Sequence, residues 1–116
     1  MPYLGKDFPP VAPVEEFDVG AEYINRFTFD GDEVIVSAVW AAKVDPASPA
    51  DDAGAAGRKV GDANVLVSEI SGRETATGQR FGGFVAGVTY RLVAVATTDR
   101  GQVLELWGRC LCVAAP

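Results

Sequence analysis

No histidine occurs in this chain of 116 residues, and it holds only two cysteines and one methionine. The missing histidine removes the commonest general base, the commonest zinc ligand and every Ser-His or Cys-His arrangement, which excludes most hydrolase chemistry. Two cysteines are too few for a disulfide framework, and a domain of this size does not need one. Long apolar runs are missing as well. No uncharged stretch approaches the roughly 18–20 residues that span a bilayer, and the N-terminus MPYLGKDFPPVAPVEE has no apolar core behind a basic start. Basic runs are equally absent. Ten basic against sixteen acidic side chains leave a net charge of −6, which repels nucleic-acid backbones and anionic membranes, so neither is expected as a partner.

Motifs for bound groups are also lacking. Asp30, Asp32 and Glu33 do not have the spacing of a calcium loop, and a turn already accounts for Asp30 and Gly31. Gly82-Gly83 is followed by neither Gly-Lys-Ser/Thr nor a helix start, so it reads as a bulge or turn and not as a phosphate cradle. No metal, cofactor or catalytic residue is expected, and the chain is not expected to be an enzyme.

What is present suffices for one core. Hydrophobic residues make up 48% and charged residues 22%, an ordinary globular composition that buries about two-thirds of the unfolded surface in a chain of this length. Residues 1–14 carry Pro2, Pro9, Pro10 and Pro13, which favour an extended arm over a folded element. That arm is either a free tail or a segment whose Phe8 and Val11 dock on a neighbouring molecule, since both are costly to leave in water. Residues 15–116 form the folded domain.

Within that domain the pattern is of strands. Phe17, Val19, Tyr23, Phe27 and Phe29 suggest extended structure broken near Gly20, and Asp30-Gly31-Asp32 suggests a hairpin turn. Val34, Val36, Ala38 and Trp40 share one strand face and Ile35, Val39 and Ala41 the other, as in a central strand covered on both sides. Residues 45–61 are rich in Pro, Gly, Ala and Asp without periodicity and read as a long loop, functional or mobile, with few internal means of burying its backbone. Residues 72–83 read as an exposed polar hairpin around Gly78. Val88, Tyr90, Leu92, Ala94 and Ala96 alternate with Thr89, Arg91, Val93, Val95 and Thr97, and Thr98-Asp99-Arg100-Gly101 closes a turn before the last strand. Strands near 33–42, 63–70, 88–97 and 102–113, with no helical period between them, predict an antiparallel β-sandwich.

Four further residues draw attention. Trp40 ends a doubly apolar strand and is expected in the core, whereas Trp107 shares its face with Glu105 and Arg109 and is a candidate protein contact. Cys110 and Cys112 share the other face of the same strand with Leu104, Leu106 and Gly108. Cα atoms two apart on a strand are about 6.5–7 Å apart, at the limit of disulfide geometry, so an intrachain bridge is disfavoured. The pair reads as reduced core residues, or, if the strand lies at a subunit contact, as a bridge to another chain.

The segment Gly87-Val88-Thr89-Tyr90, running on to Gly101, resembles the penultimate strand of fibronectin type III and related immunoglobulin-like sandwiches. The resemblance implies that the Tyr90 hydroxyl returns to nearby backbone at a corner of the sandwich. Over residues 15–113 a second pattern joins Phe27-Thr28-Phe29-Asp30-Gly31-Asp32-Glu33-Val34-Ile35, Trp40, Gly83, Gly87, Tyr90, Thr97-Thr98 and Gly101. It is similar to small tailed-phage virion proteins of immunoglobulin-like fold, of the fibre-tail adaptor type. This resemblance implies a non-enzymatic structural protein, present in several copies, that joins or decorates capsid, neck or tail through contacts with other virion proteins. It also implies a virion location after assembly in the host cytoplasm. An accessory carbohydrate-binding or adhesion module is the alternative, with Trp107 as its sugar platform.

Overall fold

The structure, a computed structural model, describes residues 7–113. Residues 1–6 of the expected arm lie outside the described residues. Six strands follow in order: β1 (Phe17–Glu22), β2 (Ile35–Val44), β3 (Lys59–Leu66), β4 (Ala76–Phe81), β5 (Thr89–Thr98) and β6 (Val103–Leu111). They build two antiparallel three-stranded sheets, β1-β4-β3 and β2-β5-β6. The chain is therefore an antiparallel β-sandwich. Its strand orders correspond to B-E-D and C-F-G of an immunoglobulin-like sandwich.

The core lies between the sheets and is built on a row of aromatic rings. Phe8 meets Trp40 at 6.3 Å, Trp40 meets Phe81 at 6.2 Å, Phe81 meets Phe84 at 6.0 Å, and Phe84 stacks on Tyr90 at 3.8 Å. Trp40, Phe81, Phe84 and Tyr90 are all buried. Such edge-to-face and offset pairs add roughly 0.5–1.5 kcal/mol each beyond their area.

Several expectations are corrected. Gly20 does not break β1; it pairs with Gly78 in mid-strand. The 72–83 segment is not an exposed hairpin, because residues 76–81 form the central strand of the first sheet and only Arg80 in it is exposed. Its polar composition is misleading because its polar side chains have inward tasks. Thr77 Oγ1 accepts the indole N–H of Trp40 at 3.0 Å. Gln79 Nε2 donates to the Val60 and Gly61 carbonyls, where the β3 register shifts between Val60 and Asn64. Gly78 leaves room for Leu66, whose Cδ1 would lie 3.0 Å from a Cβ there.

β2 is an edge strand and not a doubly covered one, with Val36 and Val39 58% and 63% exposed. A register shift between Ile35 and Ser37 changes the parity, so Ile35, Trp40 and Ala42 all reach the core. The Asp30–Asp32 segment makes a turn but no hairpin, since β1 and β2 belong to different sheets. β3 begins at Lys59 and not near 63, inside the expected loop. The remaining loop is tied to the domain: Thr89 N–H donates to Ser48 Oγ at 3.0 Å, and a 3-10 turn at Ala55–Gly57 precedes β3.

The described part of the arm docks on its own domain. Val11 bridges Cys112 in parallel, Phe8 N–H donates to Arg109 O at 2.8 Å, and Val113 N–H donates to Val11 O at 2.9 Å. The reason is the free edge of β6, whose backbone groups need partners that β5 cannot supply.

Candidate interaction face

The outward face of β2-β5-β6 carries the chemistry. Register places Val39, Val95 and Glu105 in one cross-strand row, Ala41, Val93 and Trp107 in the next, and Lys43, Arg91 and Arg109 in a third. A stripe that is apolar on β2 and β5 and ends in Glu105 and Trp107 on β6 thus runs beside a basic one, with Trp107 at the boundary. Strand alternation alone dictates this arrangement, because the neighbours of these residues on the same strands point into the core.

Trp107 is half-buried and held by cations. The Arg91 guanidinium lies 4.0 Å from the ring centroid and that of Arg109 lies 4.9 Å from it. Asp45, at the end of β2, fixes both: its Oδ2 accepts from Arg91 Nε at 3.2 Å and from Arg109 Nε at 3.1 Å. Burial works to raise the Asp45 carboxyl, but the Ala47 N–H and the two arginines outweigh it and hold the group below the usual carboxylate range. The result is a preorganised Trp–Arg platform whose side chains have little rotamer freedom left to lose on contact.

The residues singled out in the sequence divide between the two sides of β6. Trp107 is on the outer face. Cys110 and Cys112 are on the inner face, fully buried and unbridged, and Phe8 and Val11 pack against that same core. Cys110 Sγ donates to Pro9 O at 3.7 Å. Within this single chain Phe8 and Val11 close their own sandwich, their N–H groups donating to Arg109 O and Leu111 O. Burial first, and Cys112 beside it second, push the Cys110 thiol up to about 12. Trp40 is in the core, and Tyr90 accepts the Val85 N–H at 2.8 Å, five residues upstream.

Sequence reasoning passes over Asp45, Arg91, Val39, Val93 and Val95. The alternation of β5 marks Arg91, Val93 and Val95 as one face, but only the β5–β6 register sets Arg91 beside Arg109. Asp45 carries no signal, being one of several acids around the loop.

The acids weighed for calcium do not converge. Glu33 turns inward and accepts from Thr98 Oγ1, from Gln102 Nε2 and from the Asp30 N–H, while Asp32 pairs with Arg100 at 2.6 Å. No group of three or more His, Cys, Asp or Glu side chains suited to a metal occurs among the described residues. No protein-family model matches the chain, and no curated protein matches it.

Proposed function

We propose that the chain is a non-enzymatic structural protein of a tailed-phage virion. In this reading it is present in several copies and joins or decorates capsid, neck or tail through the outer face of β2-β5-β6. The observation that carries the reading is Trp107, with Arg91 and Arg109 over its ring, on the same sheet face as the exposed Val39. Aromatic and arginine side chains on a rigid sheet, next to apolar residues, have the composition of protein-contact hot spots. The resemblance to fibre-tail adaptor proteins and the immunoglobulin-like strand order support the same reading.

The carbohydrate-binding alternative receives less support. A sugar stacks on an open indole face, and the Arg91 guanidinium already lies over the Trp107 ring.

Mass spectrometry of purified particles tests the proposal. The chain should be found at a fixed ratio to the major capsid protein, and Trp107→Ala should lower its incorporation about tenfold or more while the isolated chain keeps its β-sheet circular-dichroism spectrum. Particles lacking the native chain, or incorporation indifferent to Trp107→Ala, would refute it. Glycan binding that depends on Trp107 would favour the alternative.

A further inference from the structure

The segment that closes the β6 edge is attached to the domain through a strained residue. Val14 has φ 67°, the only positive value at a non-glycine position among the described residues. A β-branched residue is a genuine outlier in the left-handed region. Burial does not offset that cost, because the Val14 side chain is 77% exposed. Its N–H donates to Phe84 O at 3.2 Å, and Pro13 before it restricts how the chain can enter the turn.

Beyond this hinge, residues 7–13 are held by groups that every copy of the chain possesses. Phe8 and Val11 fill the end of the core, their N–H groups donate to β6 carbonyls, and Pro9 O accepts from Cys110. An identical β6 on a second molecule offers the same contacts in the same parallel register.

We propose that residues 7–13 exchange between two copies, each arm leaving its own β6 and docking on the β6 of the other, with Val14 as the hinge. The docking contacts of the closed and exchanged forms are the same in kind, whereas the extended hinge releases Val14 from its left-handed conformation. Short hinges under strain favour such exchange. The exchange concerns copies of this chain and stands independently of the particle reading.

Sedimentation equilibrium on two variants, combined with thiol labelling, tests it. Val14→Pro bars the closed form, since proline cannot take a positive φ and has no N–H for Phe84. Val14→Gly accepts the closed hinge without strain and keeps that N–H. The native chain should show a concentration-dependent dimer. Val14→Pro should lower the midpoint concentration about tenfold or more and Val14→Gly should raise it about tenfold, as removal of a strained backbone conformation predicts. In the Val14→Pro dimer Cys110 and Cys112 should label as slowly as in the native chain, because the partner's arm covers them. A Val14→Pro chain that stays monomeric overturns the proposal, whether its thiols are open or protected. So does a dimer whose thiols label freely, which would mean assembly through another face with β6 bare. If Val14→Pro does not fold, an unchanged midpoint in Val14→Gly overturns it alone.

Discussion

Tyr90 donates its phenolic proton to Asp52 at 2.7 Å, joining β5 to a loop residue 38 positions earlier in the chain. Asp52 in turn receives Arg58 through Nε at 3.0 Å and Nη2 at 2.9 Å, and the Gly54 N–H at 3.0 Å. Burial pushes the phenol up to about 12, so it remains a donor throughout the neutral range. The corner thus ties the loop before β3, the turn before β5 and β5 itself to one hydroxyl.

Tyr90→Phe removes that hydroxyl, leaving the Val85 N–H without its partner and Asp52 Oδ2 with Arg58 Nε alone. The expected cost is about 2 kcal/mol, since one of the lost bonds is to a charged acceptor. Thermal unfolding measures it. An unchanged melting temperature would show that the corner contributes nothing to stability.

Stability should fall in acid. The Arg58 bond, ahead of the smaller contributions of Tyr90 and Gly54, brings Asp52 down to about 2, against the opposing effect of burial. Glu33 is lowered as well, first by Thr98 and then by the Asp30 N–H and Gln102. Carboxyls lowered by folding stabilise the native state fully above their unfolded values near 4, and this stability is lost as pH falls towards about 2. Denaturant titrations at a series of pH values check the sign. Arg58→Gln should weaken the chain at neutral pH and flatten the acid limb; an acid limb as steep as the native one would exclude the Asp52–Arg58 pair as its source.

Thiol reactivity should be very low in the closed form. With Cys110 pushed up to about 12 by burial, and Cys112 also raised by burial, little thiolate exists at neutral pH. The reduced chain should run as a monomer in non-reducing electrophoresis and react with a thiol reagent only as fast as it opens. A reductant-sensitive dimer band would instead place a cysteine at a covalent subunit contact.

Thr77→Val should orphan the Trp40 indole N–H and cost about 1–3 kcal/mol. Trp40→Phe added to it should be much less than additive, because the donor is then gone too. A full double-mutant cycle reads the coupling, and strict additivity would show that the 3.0 Å contact carries no energy.

The parts of this fold legible in the sequence are those where side-chain alternation and burial coincide. β5 and β6 show a clear period of two because each has one face in the core, and Gly101, with φ 84°, sits where their turn needs it. β4 is illegible because its inward Thr77 and Gln79 are polar; what they satisfy, an indole on the other sheet and carbonyls at a β3 bulge, lies far away in sequence. In β2 the doubly apolar pattern reflects a register shift and an exposed edge, which mimic a covered centre. Trp107 is visible as an unusual residue between charges, but Asp45 and Arg91, which hold it in place, become neighbours only through strand pairing.

Val11 pairs with Cys112 in parallel, so the arm and β6 run side by side in the same direction. Tension applied between residue 7 and residue 113 would therefore drag these two segments past each other along their length. The bonds Phe8 to Arg109, Val11 to Leu111 and Val113 to Val11 lie across that direction and would be sheared together, not peeled open one after another. If the arm exchanges, the same geometry passes to the junction between two molecules, and a pull on one copy would meet its resistance in the other.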